Sequence, residues 1–495
     1  MKKRHVTDIK TCCPRSRKSV IFGVVILVCF ILAAGNSLAG QEKKEKTVTW
    51  KSEPEKVKID DDLSYIYQQD TSSRLTALHI LVKGGKRAVP PKQRGLAFLT
   101  TRLAVELPEL NRIWRLMELG STLYYHVEGD FLIISIRSLS EHLDETLDII
   151  LQGIKNPLFS GIRIENVKKY MEHRGKGEDD SPEQLMELTF FNTFFNAAAN
   201  TYAGSIFGDP ETLANIKKKD IQDFYDRCFN SANMIITVCS DLEKTALTPI
   251  MTKHFTDLPT GEPVKTKPVQ VVIPEKKELF LGKNTRQVLI SYGALLPRMS
   301  RGDYVSMVML ENLLGKGIGS KLWPLRAQKE LAYSLDTRFI QMQDAGLLII
   351  LLRTDSDKRR EARQALKDLL VNIHTAGFTM EDLDTARKLS KADFLRDNET
   401  KERRVRTLSY FEAMGVGIDF FTGFFSQMDQ VTLEDFNAFL KKVLNPAQLL
   451  EVVIGPEVPE VPGVSGEAGE SGESVESEES EEKVPEKAGS TGSKI

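Results

Sequence analysis

Apolar and polar positions along the chain lay out one set of elements twice. A strand is predicted over Leu75–Val82, then a helix over Gly95–Leu107 and a β-rich stretch over 123–137. Two or more helices follow, and a strand over Met234–Val238 closes the set. The order then returns, with a strand over Val288–Tyr292, a helix over Asp303–Leu314 and a β-rich stretch over 332–353. Further helices and a closing strand over Leu449–Ile454 complete it. Strands and helices mix without regular βαβ alternation, so the class expected is α+β: two homologous halves, each an antiparallel or mixed sheet packed on helices.

Residue-level similarity supports a duplication. Gly129–Ser138 resembles Ala345–Thr354 at an offset of 216 residues, Ile154–Phe159 resembles Ile373–Phe378 at 219, and Asp223-Phe224 resembles Asp435-Phe436 at 212. Three weak matches in one order at similar spacings carry more than each alone. The organisation expected is a linker over 40–65, a first domain over 66–262, a Pro-rich linker over 263–275 and a second domain over 276–455.

The ends differ from the body. Residues 1–18 carry seven Lys/Arg against one Asp, and an uninterrupted apolar run follows over 20–34. Small residues then occur at Ser37 and Ala39. This is the layout of a signal peptide over 1–39 cleaved after Ala39, or of an uncleaved anchor; in both cases the body is exported. Residues 456–495 hold eleven Glu against three Lys and almost no large apolar group, so they are expected to form a disordered acidic tail. With a formal net charge of −2 overall, the opposed ends leave the body neutral, which argues against nucleic acid as a partner. Cys228 and Cys239 are the two cysteines beyond the leader; they either pair or remain separate thiols.

Three stretches carry a family resemblance. The first is Val82-Lys-Gly-Gly-Lys-Arg87 with Arg94-Gly-Leu-Ala-Phe98-Leu-Thr-Thr101-Arg102. The second is Asn230-Ser-Ala-Asn-Met234 following Asp220–Phe224, and the third is Leu313–Arg326 with Leu331-Ala-Tyr333-Ser. The chain resembles the insulinase/pitrilysin zinc peptidases, in particular the bacterial relatives of mitochondrial processing peptidase. The resemblance implies two halves forming a clam-like shell. It also implies where zinc chemistry would lie, because active members follow the Gly-Leu-Ala segment with His-x-x-Glu-His, two metal ligands and a base on one helical face. The corresponding residues are Phe98, Thr101 and Arg102, and none can serve. The seven His of the chain include no pair within five residues of one another. The third family ligand would fall at Glu172 or Glu178, and the family's Asn-Ala edge strand is replaced by Tyr124-Tyr125 beside a lone His126.

The second half departs less. Family members place an Arg and a Tyr seven residues apart against the bound peptide, and Arg326 and Tyr333 keep that spacing. A guanidinium can hold a carbonyl or carboxylate, and a phenol can hydrogen-bond an oxyanion. The resemblance therefore implies a subunit with no catalytic residue and no metal of its own. It would bind peptide substrate through Arg326 and Tyr333 beside a homologous partner subunit that carries the zinc. Two other readings stay open: a stand-alone metallopeptidase with an atypical site, and a binding or assembly protein of the cell envelope on a degenerate peptidase fold. The location expected is the bacterial periplasm or cell envelope, free or held in the inner membrane by 20–34.

Overall fold

A computed structural model describes residues 50, 52–61, 63–195, 202–266, 269, 271–275 and 277–457. The leader expected over 1–39, and the acidic tail beyond Glu457, lie outside these residues. Among the described residues no helix is long and apolar enough to cross a membrane.

The first half runs β1 (Glu55–Lys58), β2 (Ser64–Gln69), β3 (Leu75–Lys83), α1 (Leu96–Val105), α2 (Leu110–Glu118), β4 (Thr122–Val127) and β5 (Phe131–Leu139). It continues through α3 (Leu143–Lys155), α4 (Gly161–Asp180), α5 (Pro182–Phe194), α6 (Pro210–Asn215), α7 (Lys218–Cys228), β6 (Met234–Ser240) and α8 (Lys244–Phe255). The second half runs β7 (Glu278–Gly282), β8 (Gln287–Pro297), α9 (Arg301–Gly315), α10 (Trp323–Ala327), β9 (Ser334–Gln341) and β10 (Ala345–Asp355). It ends with α11 (Arg359–Ala376), α12 (Met380–Asp397), α13 (Lys401–Ala413), α14 (Asp419–Gln430), α15 (Leu433–Val443) and β11 (Leu450–Gly455).

The sheets repeat each other. The first is ordered β1-β2-β6-β3-β5-β4 and the second β7-β11-β8-β10-β9. In both, the closing strand runs parallel to an early strand of its half (β2 or β7) and antiparallel to the long strand on its other side; β2–β6 corresponds to β7–β11, and β6–β3 to β11–β8. This is the expected α+β pair of halves. The expectation of a linker over 40–65 is corrected at two places, because Glu55–Lys58 is a strand and the strand Ser64–Gln69 begins two residues before the expected domain start. The Glu-Lys-Val-Lys segment of β1 is an exposed edge with one apolar residue, so it gives almost no hydrophobic signal. Residues 263–266, 269 and 271–275 carry no helix or strand.

Why β10 is apolar at consecutive positions follows from its surroundings. Leu348, Ile350 and Leu352 join a core formed with the helices of the second half. Leu347, Ile349 and Leu351 face the other way, into a cluster with Met186, Phe190 and Phe194 of α5, a helix of the first half. A strand covered on both faces loses the usual polar alternation. Gly293 on β8 admits this helix, since a Cβ there would stand 2.4 Å from the Phe190 ring. The exchange is reciprocal: α13 of the second half lies on the first sheet, with Val405 against Ala77 and Cys239, and Tyr410 against Leu81, Phe131 and Ile133.

Polar contacts repeat the exchange. Glu183, in the first turn of α5, pairs with Arg353 on β10. Glu402, in the first turn of α13, lies 3.7 Å from Arg137 on β5. Arg137 and Arg353 are the positions that match in the duplicated segments. Two further ties are buried. Arg404 pairs with Asp70, whose carboxyl suffers burial but is held down at about 2 by the guanidinium and the Ser72 N–H. Arg87 lies between Asp130 of its own half and Asp344 of the other, while Asp130 also accepts the Gln343 N–H at 2.9 Å.

His79 on β3 completes the α13 contact, its Nδ1 2.6 Å from the Ser409 hydroxyl. Burial, with the Arg406 charge adding to it, pushes the imidazole down to about 3. The unfolded chain binds a proton at His79 near pH 6.5 and the folded chain does not, so stability falls as pH drops through that window. Between about pH 6.5 and 4.5 the His79→Gln variant should lose less stability than the parent, by up to ~1.4 kcal/mol per pH unit. Parallel urea titrations across that range check this; equal slopes would contradict it.

Cys228 and Cys239 are separate buried thiols rather than a disulfide, and burial pushes both up to about 11.

Candidate functional site

Helix α1 starts after Gly95, whose φ of 95° is left-handed and whose Cβ, if present, would stand 2.8 Å from the Phe207 carbonyl oxygen. The helix is buried along nearly its whole length. Phe98 is enclosed by rings: Phe207 edge-on at 4.8 Å, Tyr125 at 6.1 Å and Tyr170 stacked at 6.3 Å. Thr101 is fully buried and its hydroxyl donates to the Ala97 carbonyl at 2.8 Å. The Arg102 guanidinium lies 3.9 Å from the centre of the Tyr170 ring, with Nε 2.8 Å from Glu106. The Tyr125 hydroxyl donates to the same Glu106 at 3.0 Å.

These residues do not fit zinc. Where two imidazoles and a carboxylate would be needed, the chain presents a packed aromatic cluster and a cation over it. Glu172 is exposed, and Glu178 lies in the field of the Lys86 ammonium, which donates to the Gly204 carbonyl at 2.7 Å. His126 is largely exposed and faces Glu128 at 3.6 Å. Tyr124 and Tyr125, read together from the sequence, separate: Tyr124 points outward and Tyr125 inward onto Phe98. Among the described residues one other group has ligand spacing, Asp144, Asp148 and His254. The Lys253 ammonium already pairs with both of its carboxylates, 2.8 Å from Asp144 and 3.0 Å from Asp148.

Arg326 and Tyr333 are brought together. The loop before α10 turns on Gly317 and Gly319, both with left-handed φ (85° and 94°) and both open to solvent. Helix α10 then carries Arg326, and the chain enters β9 just after Tyr333. Both side chains are exposed and line a hollow of about 370 Å³ with Glu330, Thr354, Asp355 and Lys358. Arg326 lies 5.4 Å from the Trp323 ring and has no carboxylate partner among the described residues. The Tyr333 hydroxyl donates to Asp355, a hydrogen bond that raises its pKa above the ordinary phenol value. A phenol has one proton, so in this arrangement Tyr333 can accept from a ligand N–H but not donate until Asp355 is displaced. Tyr333 and Asp355 also line a neighbouring hollow of about 880 Å³, bounded by Arg286, Arg353 and Pro182 of α5.

The wall thus offers a guanidinium with no carboxylate partner among the described residues and a phenol–carboxylate pair, suited to peptide backbone and carboxylate groups. Sequence reasoning did not find Tyr170, Phe207 or Asp355. Asp355 is separated from Tyr333 by 22 residues and meets it where β10 pairs with β9.

The family profile described as Insulinase (Peptidase family M16) matches residues 65–205, and that described as Peptidase M16 inactive domain matches residues 215–390. The Non-peptidase homolog YmxG of Helicobacter pylori is 24% identical over 383 residues, covering 76% of this chain and 88% of that protein. The Uncharacterized zinc protease YmxG of Bacillus subtilis is 20% identical, covering 69% and 83%. The crystal structure of a peptidase M16 inactive domain from Pseudomonas fluorescens superposes with a TM-score of 0.75 at 19% identity, over 83% of this chain and 99% of that one.

Proposed function

Since this chain belongs to the insulinase (M16) peptidase family and carries that fold without a His-x-x-Glu-His motif, we propose that it is the non-catalytic partner of a zinc-bearing chain of the same fold. In this role it lends Arg326 and Tyr333 to a peptide held on the partner's metal. The observation that carries the reading is an asymmetry. The residues at the metal positions are sealed into an aromatic cluster, whereas the peptide-facing pair is exposed on the wall of one hollow.

Each side chain has a defined part. Arg326 holds a peptide carbonyl or carboxylate, its charge not already spent on a carboxylate among the described residues. Tyr333 accepts from the peptide backbone, or donates to it once Asp355 is released. Water activation is left to the partner, because Phe98, Thr101 and Arg102 offer neither metal ligand nor base. The basic, apolar and small-residue layout of residues 1–39 supports a periplasmic or cell-envelope location for the pair.

Metal content tests the reading. The purified chain should hold no stoichiometric zinc and cleave no peptide alone, and peptidase activity should arise on mixing with a zinc-bearing chain of this fold. Elemental analysis showing near one zinc per chain, with a chelator removing both metal and activity, would overturn it in favour of a stand-alone peptidase.

A further inference from the structure

Helix α2 shows its apolar face to solvent. Leu110, Ile113, Trp114 and Met117 occupy positions i, i+3, i+4 and i+7 and are 71%, 39%, 61% and 62% exposed. The helix is anchored from its other side by Leu116 and Leu119, both buried. Single exposed apolar residues are ordinary, but four in one helical stripe mark a contact surface.

The charges around the stripe are already satisfied within the chain. Arg112 lies 3.5 Å from Glu109, and Arg115 lies 3.0 Å from Glu118 and 2.6 Å from Glu145 on α3. A partner covering the stripe therefore strands no lone charge, which is the usual cost of burying such a face.

The order of residues says which partner. Read outward from the bond between Ile113 and Trp114, both directions give apolar, Arg, any, apolar, Glu: Ile113, Arg112, Asn111, Leu110, Glu109 one way and Trp114, Arg115, Leu116, Met117, Glu118 the other. A symmetric contact requires a surface that complements itself, each residue i meeting j and each j meeting i. A two-fold axis through the Ile113–Trp114 bond sets Leu110 on Met117 and Ile113 on Trp114 of a second copy, so every apolar side chain lands on another. An unrelated partner would need no such palindrome.

We propose that α2 is the contact between two copies of this chain, packed antiparallel across that axis. The stripe with its rim offers roughly 500 Å² per copy, hence roughly 1,000 Å² in the pair, at the lower bound of a specific interface. The association is therefore weak, with a dissociation constant in the micromolar range. The inference does not rest on the peptide-binding reading.

Sedimentation equilibrium of the purified chain tests it. A monomer–dimer equilibrium should appear between about 1 and 100 µM. Trp114→Glu strikes both copies at the centre of the contact and should weaken the dimer at least ~100-fold. Unchanged circular dichroism and melting temperature would show that this exposed substitution leaves the fold intact, and Met117→Lys serves as a second disruption. A chain that remains monomeric at about 100 µM would overturn the proposal, as would a dimer indifferent to both substitutions. If the monomer instead loses capture of a zinc-bearing chain, or of anionic vesicles, through the same substitutions, the face belongs to that partner and self-pairing is refuted.

Discussion

A chain carrying Phe98→His, Thr101→Glu and Arg102→His together should unfold at least ~4 kcal/mol more easily than the parent and still take up no tightly held zinc. The stability loss has two sources. Replacing the Phe98 ring by a smaller imidazole leaves a gap between Phe207, Tyr125 and Tyr170 and sets polar nitrogens among apolar rings, together costing on the order of 2–3 kcal/mol. The new Glu would stand at a fully buried position whose present hydroxyl is satisfied by the helix itself. A carboxylate without a partner there adds a desolvation cost of a few kcal/mol. Losing Arg102 also leaves Glu106 with the Tyr125 hydroxyl alone from this cluster. Metal binding would not offset these losses, because a tight site needs at least three protein ligands in place, and Glu172 faces solvent while Glu178 lies in the field of Lys86. Urea titration with and without added zinc measures both quantities. A triple variant of parental stability that binds zinc tightly would show that the metal site is merely unfilled rather than rebuilt as core.

Much of this architecture was legible in the sequence because the long strands are strongly apolar. Phe131–Ile136 and Gly346–Leu352 leave no competing reading, and the spacing of Arg137 and Arg353 announced the duplication. The edge strands were less legible. Glu55–Lys58 is nearly all charged, and Glu278–Gly282 alternates exposed and half-buried residues. Strand β2 draws its register from β6, with Tyr65 opposite Ile236, a partner far along the chain. The exchange of α5 and α13 was not legible at all. Phe190 and Phe194 lie on a helix of the first half, and only the contact of Phe190 with Gly293 reveals that they cover the other sheet.

The site divides in the same way. The loss of the metal ligands is a matter of residue identity, so Phe98, Thr101 and Arg102 declared it directly. What replaced them was hidden, because Tyr170 and Phe207 lie on other elements and reach α1 only in the fold. The Arg326–Tyr333 spacing was visible, but the Asp355 carboxylate that holds the Tyr333 proton was not. The stripe on α2 had a readable signal in its i, i+3, i+4, i+7 spacing; its meaning came only when the structure left that face uncovered.

The proposed role of this chain is to contact a peptide whose scissile bond lies on a metal held by another chain. Turnover of a reconstituted pair, this chain mixed with a zinc-bearing chain of the same fold, tests it most directly. Loss of one directed hydrogen bond from a preorganised site typically lowers turnover ~10²–10³-fold, and loss of a positioning contact ~10²-fold. Arg326→Ala and Tyr333→Phe should each lower turnover at least ~10-fold, and the double variant ~100-fold, with zinc content and assembly unchanged. Neither residue ligates metal, and both are exposed on the wall of the hollow rather than packed in a core, so the fold should tolerate both changes. Unchanged turnover in the double variant, with the pair fully assembled, would contradict the account and leave Arg326 and Tyr333 as inherited surface of a scaffold.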